Sequence, residues 1–154
     1  MNVLGINSVY HESAAALRIK ASSFLIDGEA VIACDDGTPD FRALRSKRRG
    51  HEAVLYAFDL IEHDGIDLRD VPLIQRKRRL SKLLGRAKRR AIQYNDHFTG
   101  DGPTVFKHVC RMGLEGIVSK RADAPYRSGP SRTWRKSKNP ESEAVRRERE
   151  EEWR

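Results

Sequence analysis

Residues 54–85 read VLYAFDLIEHDGIDLRDVPLIQRKRRLSKLLG, and the hydrophobic period changes within them. Val54, Tyr56 and Phe58 alternate in an apolar run that ends at Ile61, the pattern of a β-strand. His63-Asp64-Gly65 then supplies turn chemistry. Beyond it Leu73, Leu80 and Leu84 recur at roughly helical spacing with Leu83 beside them, and Gly85 suits a helix C-terminus. A strand, a turn and an amphipathic helix therefore follow one another. From Arg76 to Arg90 there are nine basic residues, and no acid lies between Val71 and Asn95. The apolar stripe is expected inside and the basic side outside. Arg76, Lys77, Arg78 and Arg79 are accordingly the candidate nucleic-acid contacts. A second basic cluster is Arg42, Arg45, Lys47, Arg48 and Arg49.

Working outward, Phe24-Leu25-Ile26 and Glu29 to Ala33 are strand-like. Asp27-Gly28 between them is either a two-residue hairpin turn or a bulge in one longer strand that turns at Asp35-Asp36-Gly37. Residues 41–46 suggest a helical turn, and Ile92 to Phe98 a strand. Gly102-Pro103-Thr104 opens a helix with Val105, His108, Val109 and Met112 on its inner side and Gly113 at its end. Gly116 to Ser119 and Thr133 to Lys138 are strands flanking a loop at Pro125 to Pro130. Past Pro140 the chain turns Glu/Arg-rich, as a solvated helix or disordered tail. Strands and helices without regular βαβ alternation argue an α+β fold.

Composition bounds the function. The chain has 154 residues, 38% hydrophobic and 34% charged, enough for one domain with a modest core. Thirty Lys+Arg against 22 Asp+Glu give a net charge of +8, which suits a polyanionic partner or a solvated basic surface. Cys34 and Cys110 form neither a disulfide scaffold nor a C-x-x-C zinc pair. His51, His63, His97 and His108 lack i,i+4 metal spacing. With no long apolar run and no basic leader at the start, the expectation is a soluble cytoplasmic protein.

Four short segments offer chemistry. Glu29 and Glu115 stand beside glycines at strand ends, as carboxylates able to share a divalent metal or as ordinary exposed acids. Phe58 is a core residue or a stacking platform. Lys120 is a cation on a strand-like segment. Alternation places Trp134, Lys136 and Lys138 on one strand face, where two lysines can meet a polyphosphate or simply protect an edge.

In order, FLIDGEAV, YAFDLI, LEGIVSKR and WRKSKNP resemble motifs III, IIIa, IV and V of the adenylation (nucleotidyltransferase) domain of ATP-dependent DNA ligases, most nearly the bacterial ligase D type. GDGPTVF, SGPSRTW and AVRRERE match the text around them. The resemblance covers about residues 15–154. It implies part of a nucleotidyltransferase fold, with antiparallel sheets flanking an ATP cleft, over residues 17–140, and a charged tail over 141–154. It implies ATP and Mg²⁺ or Mn²⁺ as cofactors, and nicked or broken DNA as partner, beside other end-joining proteins, in repair and recombination. By it, Glu29 and Glu115 bind or orient the metal, Phe58 stacks on adenine, Lys120 contacts the nucleotide, and Lys136 and Lys138 meet the α-phosphate.

One family element is absent. The nucleophile of the family is the lysine of a Lys-x-Asp-Gly motif upstream of motif III. The chain has four Asp-Gly pairs, and Leu25, Cys34, Glu62 and Thr99 stand two residues before them. The expectation is a domain truncated before its nucleophile, without self-adenylation; the rival reading is a non-catalytic basic nucleic-acid-binding remnant. The start of the chain, about residues 1–16, resembles instead, through NVLGINSVYHESAAAL, the start of nodulation-protein-U-type carbamoyltransferases.

Overall fold

The computed structural model describes residues 19–34, 40, 43, 49–85, 91–142 and 145–146. Its centre is β2 (Val54–His63), the strand expected from the alternation, extended by two residues. On one side β2 pairs antiparallel with β1 (Phe24–Val31), so FLIDGEAV is one strand and not a hairpin. The register shifts twice: Leu25 faces Glu62 but Ile26 faces Leu60, and Asp27 faces Asp59 but Gly28 faces Ala57. Ile61 and Phe58 are thus extra residues on β2 with no partner on β1. Such bulges bend a strand and re-aim its side chains. Gly28 sits at a close approach of the two strands. A Cβ there would lie 2.8 Å from the Tyr56 carbonyl oxygen and 2.9 Å from Leu55 Cδ1.

Asp64 and Gly65 both have positive φ, 51° and 79°, as a tight primed turn requires. The turn leads into the short β3 (Ile66–Asp67), which pairs back onto β2. The fourth strand, β4 (Ile92–Tyr94), runs parallel to β2 at Leu55–Ala57. It is shorter than the expected Ile92–Phe98. Asn95 still donates its N–H to the Ala57 carbonyl, but Asp96 turns to cap the N–H of His97, and Phe98 is 90% exposed. The strand stops where apolar alternation gives way to polar residues.

The helix α1 (Leu73–Leu84) covers this sheet and ends at Gly85, with φ 65°, as expected. Leu80 and Leu84 enter a core with Ile19, Ile26, Leu55, Ala57, Leu60, Leu68 and Ile92. Each of the two leucines stabilises by about 2 kcal/mol through burial. Its basic side departs from expectation, since Arg76 and Lys77 are buried while Arg78, Arg79 and Lys82 are exposed. Residues 86–90 of the basic run lie outside the described residues, as do 41–42 and 44–48 of the expected helical turn and most of the second basic cluster. Arg49 of that cluster is described, and it pairs with Asp40 and Glu52.

The second helix, α2 (Gly102–Arg111), starts with Asp101 capping the Thr104 N–H at 3.0 Å and Pro in its first turn. None of its residues is fully buried. Val105 and Val109 are half-covered, but His108 is exposed and Met112 is 72% exposed, against the expected inner face. Among the described elements α2 packs chiefly on one narrow strand, too little surface to cover a whole helical stripe.

That strand is β5 (Gly116–Lys120), paired antiparallel with β6 (Trp134–Lys138) in a separate two-stranded sheet. The link between them, residues 121–133, packs on the start of α1: Leu73 and Ile74 donate N–H bonds to the carbonyls of Ala124 and Ala122, and Tyr126 donates to that of Arg69. Past Pro140, Ser142 and Val145 are buried, so the chain there is not wholly solvated. Among the described residues no helix is long and apolar enough to cross a membrane.

Candidate nucleotide site

The register of the β5–β6 sheet places Lys120 opposite Trp134, Val118 opposite Lys136 and Gly116 opposite Lys138. Paired residues share a face, so Lys120, Trp134, Lys136 and Lys138 line one side of the sheet. Gly116 makes this pairing close. Its φ is 153°, and a Cβ would fall 2.1 Å from the Ser137 carbonyl oxygen. No other residue fits, which gives the glycine after Glu115 a physical cause.

This face meets β1 and the bulge of β2. Lys120 Nζ lies 4.0 Å from the ring centroid of Phe58 and 4.0 Å from that of Trp134, a cation held between two π faces. Burial lowers the Lys120 amine to about 8, against the opposite pull of Asp59 and Asp27. The Asp27 carboxyl is pushed up by burial, although Lys120 and the Tyr126 hydroxyl, which donates to it at 3.3 Å, pull it down. Two residues along β1, the Glu29 carboxyl is raised by burial and then by the nearby Glu115 charge, with Lys136 opposing. The two acids of β1 thus face two lysines of the opposite sheet in matching order, Asp27 with Lys120 and Glu29 with Lys136. These charged groups and the Phe58 and Trp134 rings gather between β1 and the β5–β6 sheet.

The structure therefore brings together Phe58, Lys120, Glu29, Glu115 and Lys136, with Lys138 on the same sheet face. A divalent metal fits this donor set: hard oxygen ligands from two neighbouring carboxylates suit Mg²⁺, which binds through one or two carboxylates plus substrate phosphates. Among the described residues no three His, Cys, Asp or Glu gather, so the protein supplies only this partial set.

Two of the four proposed nucleic-acid contacts are corrected. Arg76 is 0% exposed and forms a two-pronged pair with Asp59, Nε to Oδ1 and Nη2 to Oδ2, both at 2.8 Å. It also donates to the Val71 carbonyl. Lys77 is 6% exposed and donates to the carbonyls of Phe58 and Asn95 at 3.3 and 2.9 Å. Both cations point inward because Asp59 and the bulged carbonyl are buried and need donors. Only Arg78 and Arg79 of the four remain on the outer side. Sequence reasoning missed Asp59, Tyr126 and the inward use of Arg76. An acid inside the apolar run YAFDLI was the available signal, since a buried carboxylate demands a partner.

The family model for the ATP dependent DNA ligase domain matches residues 5–138, and so reaches into residues 1–16, which lie outside the described residues. The chain is 37% identical over 116 residues to the multifunctional non-homologous end joining protein LigD of Pseudomonas aeruginosa, covering 73% of this chain and 14% of that protein. It is 33% identical over 111 residues to the SPbeta prophage-derived DNA ligase-like protein LigB of Bacillus subtilis, covering 66% and 38%. Among solved structures, the ligase domain of M. tuberculosis LigD superposes with a TM-score of 0.63 at 30% identity, over 75% of this chain and 37% of that one. A mycobacterial DNA ligase D complexed with ATP and MES gives 0.61 at 30% identity, over 75% and 38%. The chain thus spans a minor part of each relative's length. Motif order and the family match over residues 5–138 agree, and the chain belongs to the ATP-dependent DNA ligase domain family.

Proposed function

We propose that this chain is the adenine-nucleotide-binding part of a DNA ligase adenylation domain, serving nick sealing in DNA repair and recombination. The observation that carries this reading is the convergence of Phe58, Trp134 and Lys120 beside Glu29, Glu115 and Lys136, with Lys138 on the same sheet face. Adenine stacks on the Phe58 face that Lys120 does not occupy. Lys136 and Lys138 meet the α-phosphate, where charge accumulates during nucleotidyl transfer. Glu29 and Glu115 hold Mg²⁺ or Mn²⁺, which when bound neutralises charge on the phosphates. DNA, as nicked duplex or ends, is the second substrate, and other end-joining proteins are the expected company.

No lysine in the chain stands two residues before an Asp-Gly pair, so the 154-residue chain lacks the covalent acceptor of the first step. The folded chain, incubated with α-phosphate-labelled ATP and Mg²⁺ or Mn²⁺, is expected to bind nucleotide reversibly and to show no labelled band on a denaturing gel. A labelled band would mean that another lysine acts as nucleophile. Folded protein that binds no ATP would overturn the nucleotide reading. A second reading, non-catalytic nucleic-acid binding, is favoured by one observation: Arg78, Arg79 and Lys82 are exposed along one helix. It requires DNA affinity that falls steeply with salt and is indifferent to Phe58→Ala.

A further inference from the structure

Two consecutive cations of α1 end on two consecutive residues of β2. Arg76 grips the Asp59 carboxylate with two hydrogen bonds of 2.8 Å. Lys77 Nζ donates to the Phe58 carbonyl at 3.3 Å and to the Asn95 carbonyl at 2.9 Å, and lies 4.9 Å from the Tyr94 ring centroid. Phe58, like Ile61, has no partner on β1, because Asp27 faces Asp59 and Gly28 faces Ala57. At a bulge the ladder is disrupted, and a buried carbonyl there needs another donor. Lys77 is that donor. Its burial is costly, and an apolar side chain packed in the same place would often be at least as stabilising. One of the two carbonyls that Lys77 holds belongs to Phe58, the β2 residue whose ring lies against Lys120.

We infer that Lys77 and Arg76 are positioning residues that fix the Phe58 ring as the platform for the nucleotide base, holding its backbone from behind. The inference rests on the nucleotide reading above. It separates two uses of positive charge in the chain: Lys136 and Lys138 act on phosphate, Lys77 and Arg76 on the base. A role confined to stability does not make that separation.

The test is equilibrium binding of ATP and of inorganic tripolyphosphate, each with Mg²⁺, to the full chain carrying Lys77→Met, Phe58→Ala or both. Lys77→Met is expected to weaken ATP by about tenfold, the size of losing a hydrogen bond from a charged donor. Tripolyphosphate, which has no base, is expected to change by less than about twofold. In the Phe58→Ala background Lys77→Met is expected to add less than about twofold for ATP. If circular dichroism shows Lys77→Met unfolded, Arg76→Lys takes its place with the same expectations, because it keeps the charge and loses the two-pronged geometry. ATP binding as tight as in the wild type, equal loss of both ligands, or a full effect without Phe58 each overturns the inference. Wild-type protein that binds neither ligand overturns the nucleotide reading, and the inference with it. Wild-type binding with an indifferent Lys77→Met overturns the inference alone.

Discussion

The Arg76–Asp59 pair permits a quantitative test of how helix α1 and strand β2 are joined. Both side chains are essentially inaccessible, at 1% and 0% exposure. Arg76→Met keeps most of the side-chain volume and removes the charge. Asp59 is then a buried carboxylate without a counter-ion, which costs about 3–5 kcal/mol. The Val71 carbonyl loses the donor it has from Arg76, for about 1 kcal/mol more. The Ala124 carbonyl also accepts from Leu73 N–H at 3.0 Å, so it adds little. The sum is about 4–6 kcal/mol, against a typical total stability of about 5–15 kcal/mol. With a urea dependence of about 2 kcal/mol/M, the unfolding midpoint falls by about 2–3 M. The double variant Arg76→Met/Asp59→Leu removes the stranded charge and is expected to recover more than half of the loss. Urea titrations followed by circular dichroism at pH 7 measure both. A single variant that loses less than about 1 kcal/mol would show that water reaches the pair. A double variant no more stable than the single would show that the uncompensated charge is not the cause.

Other consequences follow from the same geometry. Gly116→Ala places a Cβ 2.1 Å from the Ser137 carbonyl at a φ of 153°, so the β5–β6 pairing must open; a loss of at least about 3 kcal/mol in urea unfolding is expected, and near-neutral behaviour would refute the close approach. The Lys120 amine titrates near 8 and not near 10.5, because burial disfavours its charge. For a base with a depressed folded value the penalty on stability is complete below about pH 8 and is relieved as pH rises towards 10.5, while ATP binding weakens as pH rises through about 8, where the folded chain loses the cation. NMR of ¹³C-labelled lysine locates the midpoint, and a value above 10 would remove the argument. The Glu29 carboxyl is raised by burial and by Glu115, so on the proposed metal role protons compete with the divalent ion at a higher pH than at an unperturbed glutamate. Mn²⁺ binding followed by paramagnetic resonance should show this pH dependence and lose it in Glu29→Gln.

How much was legible in the sequence depended on whether local pattern or tertiary demand decides a residue's place. β2 and α1 were readable because their periods of two and 3.6 run long enough to dominate, and Gly85 marks the helix end by its positive φ. The face shared by Trp134, Lys136 and Lys138 followed from alternation alone, and the strand register bears it out. The register of β1 was not readable, because a bulge at Phe58 depends on how two strands meet and not on either one. The direction of Arg76 and Lys77 was misread for a related reason. A basic run reads as an outer face unless a buried acceptor waits opposite, and that acceptor, Asp59, lies 17 residues away on another element. α2 shows the opposite failure. Its stripe of Val105, Val109 and Met112 is amphipathic, but the narrow β5–β6 sheet covers only part of it.

The proposed division of cations also bears on why the site is built across two sheets. A base platform must be rigid, since stacking depends on ring orientation, whereas phosphate binding tolerates motion because charge attraction falls off slowly with distance. Phe58 stands on the strand with the largest share of pairings, and its backbone is held by buried cations from α1. Lys136 and Lys138 stand on a two-stranded sheet and are exposed. Among the described residues the two sheets meet chiefly through a few groups: Lys120 between the Phe58 and Trp134 rings, Tyr126 on Asp27, and Arg76 behind both. A ligand that neutralises Lys136 and stacks on Phe58 at once therefore bridges elements whose direct contact is narrow. On this argument nucleotide binding stabilises the joint more than it stabilises either sheet, and amide hydrogen exchange slowed by ATP should concentrate at residues 116–126 and spare the strands of the larger sheet.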